Sequence, residues 1–562
     1  MEWPDIDEET GAFVTTHTNK HVWKRAVDAA LGDFTEDQTV LKPQIDAFKE
    51  RLMNCENWRF EYRSILEDFT AIMAAASSEQ CLDMAQAGLD ALHGMMLFRI
   101  DHQTIVPAKD IFMLSGSFAK LETMTLLGTK APDIDFQFPL VDPQNLQDEN
   151  ELYGLDACAQ VDAWYRYGVL ETSASVLAKT TLMSNNIIST LQNKVFVLLG
   201  CTSEMGPAKS LLQIPGVTVI GVARGGKRLD DMIDFVRFHA PDDTTFMYPK
   251  KGADLIHQGP QIAQWILDQT DPKQQIVLCP LAYMDGEANV RVTVAQDLIV
   301  QRILRQRSNT ILSQYISPAT VLILPPTAAT NAERRFNDRP KWEKWANTLS
   351  MGKWLQPSLP KADTSNNDYC ILNGLVEAQG PDYALAKTMQ MWRCMLANYR
   401  EDHIVSAPFA PATRTRSMME HSQVAAALEG MHQFEPLLAF DVGPASSLLA
   451  AILVSHIQIL NRPLPDMEEN PFTIFWDGAV HGGVWTCPYS LNSISTINWV
   501  LGKTTYYPPG YIPEGALPKI KAAKGEEGEE SSSEPKSDMF DLTDSQYGKP
   551  MPDCVRERLE FM

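Results

Sequence analysis

A chain of 562 residues is too long for one hydrophobic core, because single domains usually run to about 100–200 residues, so two or more domains are expected. Apolar residues make up 44% and charged residues 21%, the texture of an ordinary globular protein. The formal net charge of −23 argues against nucleic acid or an anionic membrane surface as the main partner, although a local basic pocket could still hold a small anion.

The chain opens Met1-Glu2-Trp3-Pro4-Asp5, an acidic start that reads neither as a signal peptide nor as an Arg-rich transit sequence. Residues from about 20 to 100 read as helices, with breaks at Leu41–Pro43 and at Asn54–Asn57. Leu82, Ala85, Leu89, Leu92 and Met96 recur at steps of three and four, the apolar face of a helix. Ser77 followed by Gln80 predicts a capping box at its start. An irregular stretch runs from Pro107 to Asn150, and a helical pattern from Val161 to Ser189 closes a mainly helical region, 1–190.

From Lys194 the texture changes. Short apolar runs at Val195–Leu199, Val217–Val222, Gln275–Cys279, Ala319–Leu324, Tyr369–Leu372, Ile404–Ser406 and Phe472–Trp476 read as strands. Helical patterns separate most of them, notably Val290–Leu312 and Ala384–Asn398. Such alternation indicates an α/β fold, a doubly wound parallel sheet covered on both faces, over residues 191–507. The longest apolar run, Leu448–Val454, is far too short to span a bilayer. After Pro508 the chain turns Pro-, Gly-, Glu- and Ser-rich, so 508–562 reads as an acidic tail, disordered as far as Asp538. Nine cysteines are scattered with no C-x-x-C pair and no zinc spacing, which fits reduced thiols and no metal site. The expectation is a cytoplasmic protein.

Four motifs carry candidate chemistry. Gly200-Cys-Thr-Ser-Glu-Met-Gly206-Pro207 follows a strand and opens a helix, where free N–H groups and the helix dipole suit a pyrophosphate. Gly200, Thr202, Ser203, Met205 and Gly206 are the candidate contacts, although Pro207 stands near the place of the usual third glycine. At the end of the next strand, Arg224, with Lys227 or Arg228 in support, occupies the place where an acidic residue would select NAD. A basic residue there favours the 2′-phosphate of NADP. Tyr383 and Lys387 lie one helical turn apart on one face, where an ammonium lowers the pKa of a phenol towards neutrality and makes it a usable acid or base. Finally Ile404–Ser406 runs into Pro408-Phe-Ala-Pro411-Ala-Thr413, and Phe472–Trp476 into Asp477-Gly478.

In this order the glycine loop, the Tyr-x-x-x-Lys helix, the Pro-rich turn and the Asp-Gly end resemble the short-chain dehydrogenase/reductase family over roughly residues 194–500. The chain would be a divergent member with an extra helical N-terminal region. The resemblance implies a Rossmann-type, NAD(P)-dependent oxidoreductase that reduces a carbonyl or activated double bond of a small molecule. By that similarity Tyr383 is the proton donor, Lys387 binds the nicotinamide ribose and tunes Tyr383, and Pro408 to Thr413 flank the nicotinamide. NADP is favoured over NAD, and a homo-oligomer through this region fits the resemblance. The family's serine, about a dozen residues before the tyrosine, is replaced here by Tyr369-Cys370-Ile371. Thr327 or Thr330 serves in its place if 331–368 is an insertion, and Asn373 is another candidate.

The missing serine leaves two alternatives open. One is a catalytically inactive relative acting through its N-terminal region, and the other is a nucleotide-sugar or isomerase-type enzyme using the same Tyr/Lys pair. Among weaker signals, His481 reads as a loop-bonding residue and Ser115–Ser117 as a tight turn. Met418–His421 sits where the family keeps a substrate lid.

Overall fold

The computed structural model describes residues 1–31, 38–101, 103–113, 118–146, 150–358, 369–376, 379–459, 470–504 and 511–518. In chain order its strands are Leu97–Arg99 (β1), Ile105–Pro107 (β2), Thr123–Leu127 (β3), Leu140–Val141 (β4), Glu151–Leu152 (β5), Lys194–Leu199 (β6) and Thr218–Val222 (β7). They continue as Thr245–Pro249 (β8), Gln275–Pro280 (β9), Thr310–Ser313 (β10), Val321–Leu324 (β11), Cys370–Asn373 (β12) and Ile404–Ser406 (β13). Seven of them form one sheet, ordered β13-β10-β9-β6-β7-β8-β3. Every neighbouring pair is parallel except β3 with β8. The protein is therefore mixed α/β with a mostly parallel sheet. The chain fills one half outward from β6 through β7 and β8, then returns to the other side with β9, β10 and β13. That reversal puts a topological switch point between β6 and β9, and ligands of open α/β sheets usually sit at the carboxyl ends of such strands.

The strands read as continuous apolar runs because both faces are covered. Val195, Val197 and Leu199 point into one core with Ile220, Val222, Ile276 and Leu278. Phe196 and Leu198 point into the other with Val219, Val277 and Cys279. This is the two-residue period of a strand expressed as two cores.

Four helices open the chain: Thr16–Ala29 (α1), Gln38–Asn54 (α2), Trp58–Ala75 (α3) and Ser78–Met95 (α4). Gly154–Tyr167 (α5), Thr172–Leu182 (α6), Ile187–Leu191 (α7), Ala208–Leu212 (α8), Lys227–His239 (α9), Leu255–Gln269 (α10) and Glu287–Gln306 (α11) follow. Pro326–Asp338 (α12), Lys341–Leu349 (α13), Pro381–Tyr399 (α14), Arg416–Glu420 (α15), Ser422–Gly430 (α16), Val442–Ile459 (α17) and Leu491–Thr504 (α18) complete the set. The N-terminal helices share the first core with α10, α11 and α14. Trp392 of α14 meets Trp23 and Phe69 at ring-centroid distances of 5.5 and 6.1 Å. Gly88 allows that approach, since a Cβ there would lie 2.3 Å from the Trp392 ring. Helix α17 is long and apolar enough to cross a membrane, but 72% of its apolar window is buried against its neighbours, among them α6, as a core helix is.

Several sequence expectations are met and others corrected. Ser77 and Gln80 form the reciprocal capping box at α4, and the break at Cys55–Asn57 separates α2 from α3. At Pro43 the chain does not break, because α2 runs through it. The pattern Val161–Ser189 divides into α5, α6 and α7, with Gly168 left-handed (φ 97°) ending α5. Val321–Leu324 and Cys370–Asn373 leave the parallel sheet and pair antiparallel with each other, packing on α3. Phe472–Trp476 is not a strand: Pro471–Phe475 is a 3-10 turn whose start is capped by Asn470. Eight of the cysteines are described, all buried and none of these in a disulfide. Ser115–Ser117 and the tail beyond Pro518 lie outside the described residues.

Candidate active site

Because β6, β7, β9, β10 and β13 are parallel, the loops after them meet at one edge of the sheet. The loop after β10 carries Ser317 and the start of α14 carries Tyr383. The Ser317 Oγ and Tyr383 hydroxyl are 2.7 Å apart. Helix α14 starts at Gly380 (φ 85°), with Pro381 in its first turn, an arrangement suited to a helix start. Asp382, next to Tyr383, accepts from Thr15 Oγ1 at 3.1 Å and Asn19 Nδ2 at 3.0 Å, so α1 pins the beginning of α14.

One turn on, the Lys387 ammonium lies 5.6 Å from the Tyr383 ring centroid and 5.7 Å from that of Tyr283, and donates to Gln390 Oε1 at 3.1 Å. Tyr283, from the loop after β9, packs edge-on to Tyr383 at 6.2 Å and donates its hydroxyl to Asp285 at 2.9 Å. Burial pushes the Tyr383 phenol up to about 12, with hydrogen bonds to Ser317 and Gln379 pulling the other way. This corrects the expectation of a phenol brought down towards neutrality, since burial outweighs its polar neighbours. Burial also pulls Lys387 down to about 8, with no carboxylate among the described residues to hold it up.

The hydroxyl on Tyr383 is thus Ser317's, not that of Thr327 or Thr330. Thr330 donates to the Pro326 carbonyl within α12, and Thr327, on the same helix, makes no hydrogen bond to Tyr383. Asn373, on β12, donates to the Arg63 carbonyl at 3.0 Å and to Glu67 at 3.1 Å, bracing α3 instead. Ser317 stands 66 positions before Tyr383, and β11, α12, α13 and β12 fill the interval. The sequence hides it, because the helical pattern of Val290–Leu312 runs on over the residues that form β10.

Pro408 lies beside Ser317 through the backbone: Ile316 N–H donates to the Pro408 carbonyl at 3.0 Å and Ala410 N–H to the Ile316 carbonyl at 2.9 Å. Thr413 is further along, its hydroxyl donating to Pro411. In the glycine loop, Gly200 and Cys201 N–H both donate to the Val222 carbonyl, Ser203 N–H to Gly200 and Gly206 N–H to Ser203. The amides of Thr202, Glu204 and Met205 make no hydrogen bond among the described residues. Gly200 (φ 95°) is required by Ala282, whose N would lie 2.7 Å from a Cβ there. Gln296 of α11 holds Ala282 by both its amide ends, each at 2.9 Å. The following helix, α8, has only five residues, and Glu204 accepts from Arg416 N–H at 2.8 Å. At the end of β7, Arg224 is exposed and its guanidinium makes no hydrogen bond or ion pair among the described residues. Lys227 is taken by Asp231 at 2.9 Å.

Two histidines are structural. His481 Nδ1 accepts from Gly483 N–H at 3.1 Å and its ring stacks on Trp485 at 5.0 Å. His456 bonds Ser406 Oγ at 2.7 Å and faces Asp477 at 3.5 Å. Ser406 is 0% exposed, so this Ser-His-Asp chain has no access to substrate. Among the described residues no cluster of three His, Cys, Asp or Glu side chains is placed to hold a metal ion. Compared with known protein families the chain matches none, and no curated protein matches it.

Proposed function

We propose that this chain is an NADP-dependent oxidoreductase of the short-chain dehydrogenase/reductase type, built on a Rossmann-type domain. The observation that carries the reading is the Ser317–Tyr383 hydrogen bond with Lys387 one turn on, at the carboxyl edge of a parallel sheet. The strand order supports it, because β8-β7-β6-β9-β10-β13 has the 3-2-1-4-5-6 order of the dinucleotide-binding fold. Reducing a carbonyl takes a hydride on carbon and a proton on oxygen. A bound reduced nicotinamide would supply the hydride. The chain's own residues handle the proton: Tyr383 holds it at neutral pH, donates it to the substrate oxygen, and is left as a phenolate that the neighbouring Lys387 ammonium stabilises. Ser317 shares the same oxygen through its hydroxyl and orients it.

The residues present fit the cofactor at both ends. Arg224 suits the 2′-phosphate of NADP, and Pro408 adjoins the Ser317 loop. Between them, the Thr202, Glu204 and Met205 amides and the Thr202 and Ser203 hydroxyls are the groups to hold a pyrophosphate. The Glu204 carboxylate and the short α8 weigh the other way, and they favour the second reading, a catalytically inactive relative that uses its helical N-terminal region as an interaction surface.

Thermal unfolding titrated with NADPH and NADH tests the reading. NADPH is expected to raise the midpoint more than NADH, and Arg224→Ala to remove the difference. No shift with either cofactor at millimolar concentration would overturn it.

A further inference from the structure

Helix α13 is built inside out. At 100° per residue Trp342, Trp345 and Leu349 share one face, and that face is turned to solvent, with exposures of 51%, 69% and 78%. Apart from the small Ala346, the inward face is polar: Glu343 is buried and accepts the Tyr489 hydroxyl, and Asn347 Nδ2 donates to the Leu355 carbonyl at 3.0 Å. The turn beyond the helix adds Met351 and Trp354, also exposed, while Leu355 is fully buried and anchors it. Single exposed apolar residues are ordinary, but a cluster of three indoles on one helix and its turn marks a contact surface.

The surrounding charge is opposite to that of the molecule. Residues 333–354 expose Arg334, Lys341, Lys344 and Lys353 against Glu333 and Asp338, in a chain whose net charge is −23, while Arg335 and Arg339 turn inward and donate to the Tyr167 and Phe336 carbonyls. Net charge argues against an anionic surface as the main partner, but docking responds to the local field.

We propose that α13 and the turn to Trp354 form a docking face for an anionic lipid surface. Indoles pair an apolar body with a polar N–H and concentrate at the boundary between headgroups and acyl chains. Exposed lysines beside them reach back to the phosphates. Charge complementarity selects this occupant over a second copy, since a two-fold contact through this patch would set the basic side chains of one copy against those of the other.

The test uses the full chain with phosphatidylcholine vesicles, with and without phosphatidylserine, followed by co-sedimentation and by quenching of tryptophan emission with brominated lipid. Binding to the serine-containing vesicles is expected, weakening as salt rises. The exposed triple change Trp342→Ser, Trp345→Ser, Trp354→Ser should leave the circular dichroism unchanged and cut binding at least about tenfold. Lys341→Glu with Lys344→Glu should do the same. No binding by the wild type, or equal binding by the triple variant, would overturn the proposal. So would a wild-type dimer that the triple variant turns to monomer without any vesicle binding.

Discussion

At the scale of single residues, the candidate site rests on three side chains with different visibility in the sequence. Tyr383 and Lys387 are legible because a helix brings residues four apart onto one face. Ser317 is not legible, because its place is set by the end of β10 and by pairing with Pro408 to Ala410, which are tertiary facts. The loop residue Tyr283, which shelters Lys387, is hidden for the same reason. Lys387 itself yields a prediction. Burial holds it at about 8, below the roughly 10.4 of an unfolded lysine. Between those values the unfolded chain binds the extra proton, so this group's contribution to stability rises with pH and is unfavourable below about 8. Lys387→Met is therefore expected to raise the thermal midpoint at neutral pH by roughly 1–3 °C, a gain that fades towards about pH 10. A lowered midpoint at neutral pH would show that the lysine braces the fold instead. Turnover that needs the ammonium should fall as pH passes about 8, and a rate flat to alkaline pH would remove Lys387 from the chemistry.

At the scale of elements, the parallel strands are legible where both faces are buried, as in Val195–Leu199 and Gln275–Cys279. Reading fails at β3, where Met124 and Leu127 are exposed at the sheet's edge and break the apolar run. It fails at Phe472–Trp476 too, since Pro471 and the Asn470 cap favour a turn over a strand. Helix α14 positions Tyr383, and a buried cluster holds the helix in turn. Arg393 donates to Asp297 of α11 at 2.7 and 3.2 Å, and His93 of α4 faces the same carboxylate at 2.9 Å. Burial pushes the Asp297 carboxyl up, but Arg393 and His93 outweigh it and hold the group well below the usual range. Arg393→Ala would leave that carboxylate buried and underpaired, so a loss of about 3–5 kcal/mol is expected in denaturant unfolding. A loss under about 1 kcal/mol would show that the cluster is not truly dry. Gly200→Ala forces a Cβ onto Ala282 at a positive φ, and a cost of about 1–3 kcal/mol is expected from the same measurement.

At the scale of the whole molecule, the N-terminal helices and the sheet meet in one continuous core, and β3, from the same half of the chain, completes the sheet. Composition and length suggest several domains but cannot show that α1 fastens the start of α14 through Thr15, Asn19 and Asp382. Loosening that contact with Asn19→Ala should lower turnover while leaving cofactor affinity within about twofold, because Tyr383 moves and the loops after β6 and β7 do not. An equal fall in both would mean that the whole domain had loosened.

The central claim is that Ser317, Tyr383 and Lys387 form a working proton-donating centre. It is tested most directly by following NADPH oxidation by the wild-type chain, Ser317→Ala and Tyr383→Phe across a panel of aldehydes and ketones, with NADPH binding measured alongside. Wild-type turnover is expected on some members of the panel, with a fall of about 10²–10⁴-fold in either variant and unchanged NADPH binding. Turnover by Tyr383→Phe equal to that of the wild type would contradict it.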